Sequence, residues 1–239
     1  MLVHRKIDPR LAAARVLVIG VGGLGTPAAV ALATAGVGTL GLVDPDRVER
    51  SNLHRQLLYR TSDVGRPKVD AAADRLREAH GTVAVVPIAR RFAPGDVALV
   101  RGWDAVVDGT DTIAAKFAVN DAAVAARVPL AHAGALGATV QLLTVLPGTS
   151  ACFRCVFEEE PPAGDVPSCR EAGALGPAVA VGGALQAAEV VRVLTGRRPG
   201  FADRLATLDL WTGRWRTVPV SVARRCAVCA SSVERSQVA

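Results

Sequence analysis

Apolar residues recur along the chain in short blocks cut by glycines and charges, and the blocks alternate in kind. Val16–Ile19 ("VLVI") is a β-rich run that ends at glycines, and an Ala-rich helical stretch follows to about Ala35. Thr39–Asp44 ("TLGLVD") predicts a second strand. Pro67–Ala79 predicts a helix, with proline where a first turn tolerates it. Val83–Ile88, Trp103–Gly109 and Val128–Gly134 predict three further strands, and a helical Thr112–Arg127 lies between the last two. From Ala138 the texture changes to "TVQLLTVLPG", a strand leaving the parallel series. Glu158–Ser168 is polar and Pro-rich and is expected to be a mobile loop. A helix over about Pro177–Leu194 and short strands near Leu205–Leu210 and Trp215–Val220 complete the pattern. Strands alternating with helices predict an α/β fold, a mostly parallel sheet with helices on both faces, extended by antiparallel strands. The chain has no internal repeat.

Length and composition narrow this picture. The 239 residues suffice for one sizeable core, so one domain is expected, with a nucleotide-binding part at about 12–135 and a second part at about 136–230. Half the residues are hydrophobic but only 4% are aromatic, so the core should be rich in Ala, Val and Leu. The formal charge is +6 with scattered arginines, and no charge block or basic–aromatic interleaving suggests a nucleic-acid face. The N-terminus has no apolar segment of signal type, and no apolar run reaches the ~18–20 residues of a membrane span. A cytoplasmic protein is the expectation.

The chemistry starts at "GVGGLG". Gly20, Gly22 and Gly25 spell G-x-G-x-x-G. The first glycine permits a tight turn, the second lets backbone approach a phosphate, and the third allows close helix–strand packing. Asp44, ending the second strand, stands where an acid bonds ribose hydroxyls. This says "nucleotide" without deciding between a redox cofactor and ATP. Downstream, "DPDRVERSNLHRQLLYRTSDVGRPKVD" carries Asn52, Arg55, Gln56 and Lys68. Cations suit a triphosphate, Arg55 as a planar fork and Lys68 as a point charge. Asp111, after the fourth strand in "DGTDT", could hold Mg²⁺ beside phosphates. The competing readings are solvated charges at Arg55 and Lys68 and a helix cap at Asp111. Occurring together with the glycine loop, the three favour ATP.

The cysteines form a pattern of their own. Cys152 and Cys155 ("CFRC") and Cys226 and Cys229 ("CAVC") are two C-x-x-C pairs at long range. They favour a closed, structural Cys₄ zinc site over a redox disulfide. Cys169 is left over; it reads either as an idle loop residue or as a nucleophile beside Arg170. The histidines His4, His54, His80 and His132 show no ligand spacing and are assigned no role.

"GVGGLG", "VDPDRVERSNLHRQ", "GRPKVDAA" and "DGTD" occur in the order of the family that adenylates ubiquitin-like proteins. From about Ala14 to Cys229 the chain resembles the sulfur-carrier adenylyltransferases of molybdopterin and thiamine biosynthesis, and more distantly ubiquitin-activating enzymes. The resemblance implies a Rossmann-like fold, a symmetric homodimer and zinc at the four paired cysteines. It implies ATP-dependent adenylation of a ubiquitin-like sulfur carrier ending in Gly-Gly, followed by sulfur transfer from a persulfide donor. On that reading Gly20, Gly22, Gly23 and Gly25 approach the phosphates, Asp44 binds ribose, and Asp46, Ser51 and Asn52 complete the cofactor-binding set. Arg55 and Lys68 stabilise the phosphates, Asp111 positions Mg²⁺, and Cys169 is the family's conspicuous cysteine after a loop. Two features depart from the pattern. The N-terminal stretch lacks a motif like Arg-Tyr-Ser-Arg-Gln, leaving Arg5 or Arg10 nearest in its place, and Thr112 stands where relatives usually carry Asn. No rhodanese-like domain follows, so the sulfur donor is expected to be separate. The alternatives are adenylation of a peptide or small carboxylate, a catalytically silent nucleotide-binding scaffold and, with no evident hydride-transfer partner, an NAD-dependent oxidoreductase.

Overall fold

The computed structural model of the chain describes residues 8–162 and 173–230. Three strands, β1 (Arg15–Ile19), β2 (Thr39–Val43) and β4 (Ala105–Asp108), are buried at nearly every position. Continuous apolar runs of this kind are covered on both faces, as the centre of a parallel sheet requires. With β3 (Ala84–Ile88) and β5 (Leu130–Leu136) they form the parallel part of one sheet, in the order β3-β2-β1-β4-β5. The chain then reverses at Gly137, whose φ of +56° is strained for a residue with a Cβ. Strands β6 (Thr139–Val145), β7 (Arg204–Asp209) and β8 (Arg214–Pro219) continue the sheet antiparallel. The expected α/β sheet with an antiparallel extension is the observed one.

Helices cover both faces. On one side α2 (Gly25–Ala35), α3 (Lys68–Ala79) and α7 (Gly176–Leu194) close a core of Val16, Val18, Leu32, Leu40, Leu76 and Val107. On the other, α4 (Val97–Val100), α5 (Ile113–Ala126) and α6 (Phe153–Val156) close one containing Leu17, Ile19, Phe117, Val119 and Phe153. The short α4 and α6, the five-residue α1 (Pro9–Ala13) and two 3₁₀ turns (Arg50–Asn52 and Thr61–Asp63) had no sequence expectation. They span one turn or so, too little to show helical periodicity.

Among the described residues, α7 alone is long and apolar enough to cross a membrane by composition. In the fold it is a core helix. Gly182 and Gly183 let it press on α2, where a Cβ would meet Leu24 and Pro27. Its buried Gln186 donates to the carbonyls of Asp108 and Ala131 at 2.7 and 2.8 Å. Its buried Glu189 accepts from Thr144 Oγ1 at 2.9 Å and from the amides of Gly200 and Phe201.

Candidate active site

The strand order reverses between β1 and β4, and a crevice opens beyond their carboxyl ends, where doubly wound sheets bind ligands. Its floor is the glycine loop. Gly20 has φ +85°, and a Cβ there would lie 2.7 Å from the Gly109 carbonyl. A Cβ on Gly25 would overlap the Gly20 carbonyl, so helix and strand meet closely at that glycine. The N-cap of α2, Leu24, makes no side-chain cap. The Thr26 amide donates to the Gly22 carbonyl at 3.1 Å, which leaves the loop amides ahead of it for an anion. Behind the loop, Gly23 packs toward Val179 of α7, which a Cβ would approach to 3.0 Å.

Asp44 holds the loop in place. Its Oδ2 accepts from the Val21 amide at 2.8 Å and its Oδ1 from the Asp46 amide at 2.9 Å. Each oxygen keeps a second lone pair. Burial pushes the Asp44 carboxyl above the ordinary range, opposed by the charge of Lys68. Tyr59 donates to the Val21 carbonyl at 2.7 Å and clamps the loop from below.

The cations stand beside it. Lys68 opens α3, is 6% exposed, and its Nζ donates to Asp46 Oδ2 at 2.9 Å. Arg55 follows the first 3₁₀ turn; its Nη1 meets only the Ser51 carbonyl at 3.4 Å and His54 Nε2 at 3.3 Å. Among the described residues it has no carboxylate partner, which leaves its fork open to an anion. Ser51 Oγ donates to Glu49 at 3.1 Å, and Asn52 Nδ2 donates to Ser51 Oγ at 3.4 Å. Gln56, buried against Gly22, has an Oε1 without a partner. All of these residues line one cleft of about 1610 Å³.

Asp111 lines the cleft, exposed and, among the described residues, without a hydrogen-bond or ion-pair partner. The cap of α5 is Thr112, whose Oγ1 accepts from the Ala115 amide at 3.3 Å. The competing reading of Asp111 as the cap is thereby removed. A carboxylate lining the same cleft as Arg55, Lys68 and the glycine loop fits Mg²⁺ held against phosphates. Arg10 sits before β1, at the opposite ends of the strands, held by Asp8 at 2.8 Å and the Thr195 carbonyl at 2.7 Å. It does not reach the cleft of its own chain. Arg5 and Cys169, like residues 163–168 of the polar loop, lie outside the described residues.

One cluster was missed by the sequence reading. Asp108, fully buried at the end of β4, accepts from Lys116 Nζ at 3.1 Å, His132 Nδ1 at 2.7 Å and Thr110 Oγ1 at 2.6 Å. Burial alone would raise its pKa, but Lys116, His132 and Thr110 outweigh it and hold the carboxyl well below the usual range. Burial, together with the Lys116 charge, lowers the pKa of His132 against the opposing pull of Asp108, which favours the neutral ring. In that form Nδ1–H is committed to Asp108 and Nε2 is an acceptor, buried without a partner among the described residues. His132, given no role from its sequence spacing, lines the cleft. The available signal was one polar residue near the end of each of two apolar strands, "WDAVVDG" and "VPLAHAG".

The four paired cysteines come together in the core beside α6. Their sulfurs lie within 4.8 Å of one another, Cys155–Cys229 at 3.3 Å, Cys152–Cys226 at 3.6 Å and Cys152–Cys155 at 3.9 Å. A disulfide needs about 2 Å. A tetrahedron of zinc–sulfur bonds of about 2.3 Å needs sulfurs roughly 3.8 Å apart. Donor set and spacing fit zinc. Donation from the Cys152 thiol and the Ala223 amide brings the Cys155 thiol down to about 5.

The fold and the glycine-floored cleft have counterparts among known proteins. The ThiF family model matches residues 2–229, and the chain belongs to the ThiF family. It is 44% identical over 230 residues to the bovine (Bos taurus) adenylyltransferase and sulfurtransferase MOCS3, covering 96% of this chain and 50% of that protein. It is 41% identical over 236 residues to the adenylyltransferase and sulfurtransferase uba4 of Aspergillus fumigatus, covering 93% and 48%. The chain thus spans about half the length of these relatives. Among solved structures, Escherichia coli MccB with MccA-N7isoASN superposes with a TM-score of 0.83 at 24% identity, over 94% of this chain and 69% of that one. Selenomethionine PaaA superposes with a TM-score of 0.74 at 28% identity, over 88% and 74%.

Proposed function

We propose that this chain binds ATP and Mg²⁺ in the cleft and adenylates the C-terminal carboxylate of a ubiquitin-like sulfur carrier ending in Gly-Gly. The observation that carries the reading is the grouping of Arg55, Lys68 and Asp111 around the uncapped N-terminus of α2. An NAD site needs no such array of cations and free carboxylate. The names of the MOCS3 and uba4 relatives support it.

In this reading the glycine-loop amides and α2 hold the phosphates, and Asp44 accepts from the ribose hydroxyls. Asp46, Ser51 and Asn52 position the chain around them. Mg²⁺, when held by Asp111, spreads charge off the phosphate oxygens. The carrier carboxylate needs no base, being ionised at neutral pH. Its oxygen bonds to the α-phosphorus, the bond to the bridging oxygen breaks, and pyrophosphate leaves with the electron pair. Arg55 and Lys68 neutralise the charge that develops on it. The outer sulfur of a persulfide donor then bonds to the acyl carbon and AMP leaves with the electron pair of the broken C–O bond. A thiolate, for which Cys169 is the candidate, attacks the donor's inner sulfur and breaks the S–S bond, leaving a carrier thiocarboxylate and a Cys169–donor disulfide.

Zinc at Cys152, Cys155, Cys226 and Cys229 closes the second part of a single domain, about 136–230, against the nucleotide-binding part at 12–135. The working unit is a homodimer in the cytoplasm. Mass spectrometry of a Gly-Gly carrier incubated with enzyme and ATP tests the reading. An AMP adduct on the intact carrier, and none on a carrier lacking Gly-Gly, is expected; no adduct on any carrier contradicts it and favours a peptide substrate or a silent scaffold.

A further inference from the structure

The buried Nε2 of His132 is an acceptor with nothing to accept from, in a residue that is 3% exposed and lines the cleft. Its ring is fixed on two sides. Nδ1 is held by Asp108 at 2.7 Å, and one face rests on Phe153 with ring centroids 4.7 Å apart. Phe153 is itself packed on Phe117 and Phe157 and follows the zinc-site residue Cys152. An acceptor buried and held in this way without a partner is a built half of a hydrogen bond.

The missing donor belongs to the acyl substrate rather than to the nucleotide. In the sheet order β2-β1-β4-β5, the ribose acid Asp44 follows β2, whereas His132 is on β5, beyond β4. A chain ending in glycines has no side-chain donor, so its only donors are backbone N–H groups. Lys116 sits on the same Asp108 oxygen as His132. Its ammonium spends two protons, on Asp108 and on the Ala133 carbonyl at 2.5 Å, and keeps a third. A carboxylate near that third proton would bring the preceding amide beside His132.

We infer that His132 is a positioning and specificity residue whose Nε2 accepts the N–H of the last peptide bond of the acyl substrate, so that the site selects peptide acids over carboxylic acids without that amide. This rests on the reading of the cleft as a site that adenylates a C-terminal carboxylate. The Asp108 carboxylate locks the tautomer that leaves Nε2 free, as the orienting acid does for other functional histidines.

The test compares a synthetic peptide acid ending in Gly-Gly with the depsipeptide in which an ester oxygen replaces the last N–H. ATP–pyrophosphate exchange gives kcat and KM, and ¹⁵N spectra of labelled histidine report the state of Nε2. Wild-type enzyme should show an Nε2 signal that shifts with the amide peptide and a non-hydrolysable ATP analogue, and not with the ester. Its KM should rise about tenfold for the ester, the worth of one hydrogen bond. His132→Phe, which cannot accept, should give equal KM for the two. His132→Gln, which places an oxygen near the ε position, should restore part of the preference. Exchange with an unmoved Nε2 signal, or wild-type enzyme that treats amide and ester alike, overturns this inference and leaves adenylation standing. No exchange with any Gly-Gly acid overturns the reading of the site itself.

Discussion

Lys68 Nζ lies 2.9 Å from Asp46 Oδ2, joining a lysine side chain that is 7% exposed to a carboxylate that is 55% exposed. The pair keeps a buried cation at the cleft, neutralised from the solvent side until an anion arrives. Lys68→Ala removes the cation and leaves an aspartate that water can solvate, so the fold should hold. We expect kcat/KM for adenylation to fall by about 100-fold, the scale of a lost transition-state charge contact. The melting temperature should drop by only a few degrees. Steady-state exchange kinetics and calorimetry on the same preparation check this, and wild-type turnover would remove Lys68 from the site.

Neighbouring residues 111 and 112 should separate activity from stability. Asp111 is exposed and unbonded, so Asp111→Ala should leave the unfolding free energy unchanged while abolishing Mg²⁺-dependent exchange. Thr112 caps α5, so Thr112→Ala should cost about 1 kcal/mol of stability and retain most activity. Urea melts and magnesium titrations of the two variants provide the comparison. The same phenotype in both would contradict the division of labour.

The Cys₄ cluster should carry one zinc per chain, measurable by elemental analysis. Two of its members, Cys226 and Cys229, lie in the C-terminal tail, and all four pack into the core that holds Phe117 and Phe153. Chelation should therefore lower the melting temperature and open the 220–230 region to protease, while nucleotide binding at the distant glycine loop persists. Metal-free protein with unaltered stability would show that the thiols pack without an ion.

The acid limb of stability should carry His132. Its folded pKa lies below the unfolded value of about 6.5, so the unfolded chain takes up a proton that the folded one refuses. The contribution is present above that value and is lost as pH falls below it. Asp108, also depressed, adds a loss only below the ordinary carboxylate range. Denaturant melts from pH 8 down to pH 5 should show stability falling in wild type and a flatter profile in His132→Gln. Equal slopes would place the proton uptake elsewhere.

Much of this was written in local pattern. The apolar blocks around Val16–Ile19, Thr39–Val43 and Leu130–Leu136 located the parallel strands, because each block ends at a glycine, a charge or a helix start. That the glycine loop, Arg55, Lys68 and Asp111 share one cleft was legible because each stands in a loop beyond the carboxyl end of an expected strand or at a helix start. The paired cysteines were legible because each C-x-x-C is half a metal site. The Asp108–Lys116–His132 cluster was not. Asp108 and His132 are 24 residues apart and become neighbours only through the β4–β5 register, while Lys116 reaches them from α5. Testing histidines for ligand spacing along the chain cannot see a pair that a parallel sheet makes. That Thr112 and not Asp111 caps α5 was equally invisible, since either side chain could have done so.

The central claim is that Arg55, Lys68 and Asp111 surround a triphosphate whose α-phosphorus meets a carrier carboxylate. ATP–pyrophosphate exchange with Mg²⁺, run with and without Gly-Gly-ended carriers, tests it most directly. Exchange that requires both the carrier and its terminal Gly-Gly, and that disappears in Asp111→Ala, is the predicted result. Exchange that is absent with every carrier although ATP binds would contradict it.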